Sequence, residues 1–289
     1  MSKIEIKHLN KRLIGSKENI LNDINLTFDG EKIYGLFGQN GAGKSTLMSL
    51  IADYNKTTSG EILLDGQEIH NNQALINKVY YMNQMDMFPK HEKLEKLFKM
   101  ISNIYPDYDL SLQKELINKF NVDIKKTFNS LSTGYKSIVK IIISLCVPCE
   151  FILLDEPTLG LDARNREVFY RELIASYSKN PRTFIISTHI IEEVDQIINE
   201  VVFIKDGRVK INNSVDDIRS QSYSVSGPAE DVDSYVQGIH ILEKDRLGRY
   251  ETVHFMHELP ENPRPESVDV EKMKLQKLLV YIMNSEEVE

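Results

Sequence analysis

The run Gly38-Gln39-Asn40-Gly41-Ala42-Gly43-Lys44-Ser45 spaces its residues as Gly, four residues, then Gly-Lys-Ser. That spacing suits a loop that wraps phosphate. Small residues let backbone N–H groups converge on phosphate oxygens, and a helix that begins where the loop ends adds about half a positive charge. Lys44 can bridge the outer two phosphates and the Ser45 hydroxyl can ligate Mg²⁺, with Thr46 following in the same helical turn. The pattern needs a strand before it and a helix after it. Ile33-Tyr34-Gly35-Leu36-Phe37 reads as a buried strand, and Thr46-Leu47-Met48-Ser49-Leu50-Ile51 as a helix. The chain is therefore expected to bind a nucleotide.

A second constellation is Phe151-Ile152-Leu153-Leu154-Asp155-Glu156, an apolar strand that ends in two acids. In a sheet that carries a phosphate loop, this arrangement sets the first acid beside Mg²⁺ and frees the second to act on water. Asp155 is expected to hold the metal through water, and Glu156 to orient the attacking water or accept its proton.

The elements that position these residues follow from periodicity. Ile4-Glu5-Ile6 and Ile24-Asn25-Leu26-Thr27-Phe28 alternate as strands, a hairpin fits Glu61 to Gly66, and Lys78 to Met82 reads as a further strand. Over residues 91 to 120 the period changes to that of helices, with Leu94, Leu97, Phe98 and Ile101, then Leu112, Leu116, Ile117 and Phe120. This is expected to be an inserted helical subdomain, bounded at about residues 85 to 145. From residue 134 helices alternate with the buried strands Phe151 to Leu154 and Thr183 to Ser187, which implies a parallel sheet covered by helices. A last strand pair, Val201 to Ile204 and Arg208 to Ile211, closes the main body near residue 214. Residues 215 to 289 read as a separate small α+β unit. It would begin with a helix at Val215 to Arg219, continue with strands near 222–226, 239–243 and 250–255, and end in a helix from about residue 270. That order resembles a split βαβ fragment.

Composition narrows the class. With 289 residues, 41% hydrophobic and 27% charged, the chain is long enough for one large α/β domain and a small appendage. Its most apolar stretch, residues 138 to 154, is interrupted by Lys140, Pro148 and Glu150, short of a membrane span, and the N-terminus lacks the plan of a signal peptide. A cytosolic location follows as the expectation. Residues 215 to 289 hold 16 acidic against 8 basic residues while the first 214 balance at 27 against 27, which argues against nucleic acid as a partner. Cys146 and Cys149 have the Cys-x-x-Cys spacing, but a helix ends between them and no second pair exists to complete a zinc site. Buried thiols are expected.

Leu131-Ser132-Thr133-Gly134-Tyr135, at the start of the helix leading into the acidic strand, makes the pattern specific. The chain resembles the ATPase subunit of an ATP-binding-cassette (ABC) transporter. That family's Leu-Ser-Gly-Gly-Gln motif is matched at Leu131, Ser132 and Gly134, while Thr133 and Tyr135 depart from it. The resemblance implies a cassette fold of the phosphate-loop NTPase type with an N-terminal antiparallel β subdomain, covering residues 1 to about 214. It assigns Gln84 to a loop that senses Mg²⁺ and the transport partner, and Gly160-Leu161-Asp162 to a loop at the cassette dimer contact. His189 becomes the switch that faces the γ-phosphate. Ser132 and Gly134 become an anion site for the other subunit's ATP, and Glu156 and His189 together imply hydrolysis.

The family usually stacks adenine on an aromatic residue near the position of Leu13 or Ile14, yet no Phe, Tyr or Trp precedes Phe28. Close competition between ATP and GTP is expected. The resemblance further implies a pair of cassettes, identical or different, seated peripherally on the cytoplasmic face of the membrane and contacting separate membrane-spanning chains near Met85, Met87, Phe88 and Pro89. Its exporter branch, of the bacitracin-resistance and peptide-toxin type that includes phenol-soluble modulin exporters, implies peptides, lipids or drugs as cargo. The alternative is a soluble regulatory or nucleic-acid-maintenance ATPase of the same cassette type.

Overall fold

The computed structural model describes residues 2–13, 15 and 18–284, with side chains to residue 281. Strands β1 (Lys3–Arg12) and β2 (Asn19–Asp29) pair antiparallel and alternate, so that Ile4, Ile6 and Leu9 share one core with Ile24, Leu26 and Phe28. After β3 (Ile33–Phe37) and α1 (Lys44–Ile51), strands β4 (Ser59–Leu64) and β5 (Gln67–Glu68) complete this sheet in the order β2-β1-β4-β5. The hairpin expected at residues 61 to 66 is the β4–β5 turn.

A short α2 (Gln73–Ile76) leads into β6 (Val79–Met82). The helical insertion follows as α3 (Leu94–Ile104), α4 (Leu110–Lys119) and α5 (Thr133–Cys146). The chain then alternates through β7 (Phe151–Asp155), α6 (Ala163–Lys179), β8 (Thr183–Ser187), α7 (Ile191–Val194), β9 (Glu200–Lys205) and β10 (Arg208–Ser214). Six strands form the central sheet in the order β10-β9-β3-β8-β7-β6, parallel except for the β9–β10 hairpin.

Why these strands read as continuous apolar runs is visible in the packing. Ile152 and Leu154 of β7 enter the core beneath the helical insertion, while Phe151 and Leu153 enter the core shared with the antiparallel sheet. β3, β8 and β9 divide their side chains between the same two cores. A parallel sheet covered on both faces needs apolar residues at every position. Each buried side chain of this size contributes about 1.5–3 kcal/mol, so the sheet is a rigid base. In its register Asp155 pairs with Ser187 and Leu36 also pairs with Ser187. The C-terminal ends of β3, β7 and β8 therefore lie side by side, where open α/β sheets bind ligands.

The C-terminal segment contains α8 (Val215–Gln221), β11 (Ser222–Pro228), α9 (Ala229–Tyr235), β12 (Glu243–Leu247), β13 (Tyr250–Met256), β14 (Asp269–Lys272) and α10 (Leu275–Asn284). Its sheet runs β12-β13-β11-β14 with every pairing antiparallel; β11 and β12, joined through α9, both pair with β13 between them and so run parallel to each other, the split βαβ arrangement that the sequence suggests. The strand expected at 239–243 lies at 243–247, because Ile239 and Ile241 pack from a loop against the small core of Val225, Val232 and Phe255. The helix expected from about residue 270 begins at Leu275. Val268 and Val270 alternate in the period of a strand, and Asp269–Lys272 pairs along the edge of β11.

Met273, Leu275, Leu278 and Leu279 belong to the same core as α5 and α6, and so tie α10 to the main body. On the β12–β13 hairpin, Glu243, Asp245 and His254 lie together, and the Lys277 ammonium fills the cation position between the two acids, 2.6 Å from Asp245. Cys146 and Cys149 are buried free thiols, and burial pushes both up to about 12. Among the described residues no helix is long and apolar enough to cross a membrane.

Candidate active site

The loop between β3 and α1 turns through Gly43, whose φ of 106° is left-handed; a methyl there would also lie 2.5 Å from the Leu21 side chain. Only glycine meets both demands. Helix α1 starts at Lys44 with no side chain capping it, so the N–H groups of its first turn face the loop. The Lys44 ammonium folds back to donate to the carbonyls of Gly38 at 2.8 Å and Gln39 at 3.1 Å. Burial holds its pKa below the ordinary value, opposed by the negative fields of Glu156 and Asp155. A buried cation ringed by carbonyls and facing two acids is arranged to receive polyanionic phosphate.

Asp155 ends β7 and is 4% exposed. One carboxylate oxygen accepts from the Ser187 hydroxyl at 2.7 Å and the other from the Tyr81 hydroxyl at 3.3 Å. Tyr81 and Ser187 escape a sequence reading, because only the β6–β7 and β7–β8 registers bring them beside the acid. Burial and the adjacent Asp155 raise the Tyr81 pKa, so its hydroxyl remains a donor.

Glu156 has φ of 49°, a left-handed conformation that costs a non-glycine residue on the order of 1–3 kcal/mol. Its N–H is held by the carbonyl and the hydroxyl of Ser187, both at 3.1 Å. This turn directs the carboxylate toward the loop after β8, where Oε2 meets Nδ1 of His189 at 2.8 Å. The His189 segment is fixed from behind, since Glu193 of α7 pairs with Arg166 and accepts from the Tyr170 hydroxyl, both on α6.

A cavity of about 210 Å³ is lined by Lys44, Ser45, Thr46, Gln84, Asp155 and Glu156 together with Asn40, Gly41 and Gly43. Among its oxygen donors are the Ser45 hydroxyl, the Gln84 amide and two carboxylates. Hard oxygen ligands of this kind suit Mg²⁺, with Ser45, Gln84 and Asp155 as the residues that could hold it.

Ser132 and Gly134 are not among the residues lining this cavity. Ser132 caps α5, accepting from the Tyr135 N–H at 3.4 Å. Ser137 Oγ donates to the Leu159 carbonyl at 2.9 Å, so the start of α5 is fastened to the loop 158–162. Asp162 caps α6 through the Asn165 N–H at 2.8 Å. Next to the phosphate loop opens a larger cavity of about 890 Å³, lined by Arg12, Asn19, Ile20, Gln39, Asn40 and Ala42 among others, with no aromatic side chain. Sequence reasoning missed Arg12 as a wall of this space. Leu13 is half exposed and outside the lining, and Ile14 lies outside the described residues.

The family model described as "ABC transporter" matches residues 21–159. The chain is 28% identical over 251 residues to the ABC transporter ATP-binding protein YtrB of Bacillus subtilis, covering 86% of this chain and 85% of that protein. It is 30% identical over 216 residues to the lantibiotic transport ATP-binding protein SrtF of Streptococcus pyogenes, covering 74% of this chain and 91% of that one. A solved structure of the ATP-binding subunit of an ABC transporter shares the fold, with a TM-score of 0.68 and 24% identity over 75% of this chain and 92% of that one. The phosphate loop, the acids at the end of β7 and these likenesses converge, and the chain belongs to the ABC transporter family as one of its ATP-binding, ATP-hydrolysing cassettes.

Proposed function

We propose that the chain is the ATP-hydrolysing motor of a membrane exporter, working as one of two cassettes beneath membrane-spanning subunits on separate chains. The loop from Gly38 to Thr46 holds the β- and γ-phosphates through its amides and the Lys44 ammonium. Ser45, Asp155 and Gln84 hold Mg²⁺, which offsets the phosphate charge. Glu156 accepts a proton from water as the water oxygen bonds to the γ-phosphorus and the bond from that phosphorus to the β-phosphate oxygen breaks, leaving ADP and phosphate. His189 turns from Glu156 to the γ-phosphate when nucleotide enters.

The observation that carries this reading is the contact of His189 with Glu156, which lines the same cavity as Lys44. Ser132 and Gly134 stand apart from their own phosphate cavity, which suits service to the nucleotide of the second cassette, with Asp162 at the contact. Residues 1–214 form the cassette in this reading and 215–289 an acidic appendage. Met85 and Met87 are 71% and 60% exposed beside Phe88 and Pro89, an adaptable apolar surface for a partner helix at the cytoplasmic face. The lantibiotic transport relative favours peptides among the peptide, lipid and drug cargoes of such exporters.

Glu156→Gln tests the chemistry. Turnover should fall by about 10²-fold or more while ATP holds the two cassettes together. Undiminished turnover removes Glu156 from the role. Co-purification from detergent-solubilised membranes, with the partner identified by mass spectrometry, tests the transporter assignment; recovery as a soluble chain alone with the partner expressed counts against it.

A further inference from the structure

Lys140 lies in the second turn of α5 and is 7% exposed, an unusual place for an ammonium. Its Nζ donates to three successive carbonyls, those of Asn83 at 3.1 Å, Gln84 at 3.1 Å and Met85 at 2.9 Å. An ammonium has three N–H donors, and here each is used. Asp86 adds its carboxylate at 3.4 Å, and its other oxygen pairs with Lys136 at 2.6 Å, one turn earlier on α5.

Three neighbouring carbonyl dipoles aimed at one point repel each other unless a cation stands there. Remove the cation and the backbone of residues 83–85 must open, carrying the Gln84 side chain away from the cavity it shares with Asp155 and Glu156. The same helix carries Ser132 at its cap and Thr133 in its first turn, and Thr133 lines the adjoining cavity with Gln84 and Lys140. One helix therefore holds both the loop and the cap segment.

We infer that Lys140 is a positioning residue of the hydrolytic site: its ammonium sets the curl of residues 83–85, keeps Gln84 at the Mg²⁺ position and locks that loop to the segment beginning at Ser132. This rests on the reading of Gln84 as a contact of Mg²⁺. It adds that the loop beneath the proposed membrane partner and the segment serving the second cassette move as one body, because a single buried cation ties them.

The test compares Lys140→Met, Asp86→Asn and Gln84→Ala in the full chain, measuring ATP affinity in EDTA, the Mg²⁺ concentration for half-maximal turnover, and kcat. Lys140→Met should raise the Mg²⁺ requirement and lower kcat by about 10-fold, the scale of losing an outer support of a metal site, with Mg²⁺-free ATP affinity within about twofold of the parent. Asp86→Asn, at an exposed residue, should shift Mg²⁺ dependence in the same direction by a smaller factor, and it decides the matter if Lys140→Met does not fold. Normal Mg²⁺ dependence in the lysine variant, or in Asp86→Asn where the lysine variant does not fold, overturns the latch if Gln84→Ala is impaired. A normal Gln84→Ala overturns the metal reading and the latch with it. Equal loss of Mg²⁺-free ATP affinity would mark Lys140 as a general support of the fold and also overturn the inference.

Discussion

Gly134 and Gly160 touch backbone to backbone: a methyl group at 134 would lie 2.3 Å from the Gly160 carbonyl oxygen. The first turn of α5 and the loop before α6 are thereby set against each other, and the Ser137 bond to Leu159 reinforces the contact. Gly134→Ala must push the two apart, since neither side of the clash is a flexible side-chain end. Overpacking of this kind costs about 1–3 kcal/mol. Nucleotide binding to the single chain should stay within about twofold, because the loop from Gly38 to Ser45 is untouched. ATP-dependent pairing of cassettes should be lost, read by light scattering in the Glu156→Gln background. Pairing at parental ATP concentrations would show that this contact does not shape the dimer surface.

His254 gives the stability a dependence on acid. It is 3% exposed, and burial and then the neighbouring Lys277 hold its pKa below the ordinary 6.5, outweighing the opposite pull of Glu243 and Asp245. Its Nδ1 meets the Ser224 hydroxyl at 2.8 Å. The unfolded chain accepts a proton here more readily than the folded chain. Stability therefore rises with pH across the interval from the folded pKa up to 6.5, and is lost as pH falls below 6.5. The thermal midpoint should drop between about pH 7 and 5, a window above the titration of most carboxylates. His254→Gln keeps a polar group for Ser224 and should flatten that drop; an unchanged slope assigns it to other groups.

What the sequence discloses divides by range. The phosphate loop and the Asp155-Glu156 pair are contiguous, and their flanking strands are continuously apolar because both faces of the sheet are covered, so type and place can be read from a short window. The Lys140 latch joins residues 55 to 57 positions apart, and as a sequence feature the lysine is only an interruption in an apolar helix. Tyr81 and Ser187 become partners of Asp155 only through sheet register. In the C-terminal segment the edge strand Asp269–Lys272 is four residues long and runs straight into the apolar spacing of α10, so two periods overlap and the longer one masks the shorter.

The walls of the large cavity beside the phosphate loop bear on nucleotide choice. Arg12, Asn19, Asn22 and Asp206 surround it, and no aromatic ring is among the lining residues. Stacking on an aromatic contributes on the order of 1–3 kcal/mol in nucleic-acid systems and is indifferent to which base is stacked. A cavity without it holds the base weakly, and its polar groups can pair with adenine or guanine edges. ATP and GTP should therefore displace a fluorescent nucleotide at concentrations within about tenfold of one another, a difference of about 1.4 kcal/mol. Leu13, half exposed just after β1 and next in sequence to Arg12 in the cavity wall, is the place to add a ring. Leu13→Tyr should tighten both nucleotides together by about fivefold, equivalent to about 1 kcal/mol, without changing their ratio. A parent chain that prefers adenine by a hundredfold or more would mean that polar groups of this cavity read the base edge, and the weak-base account would fail.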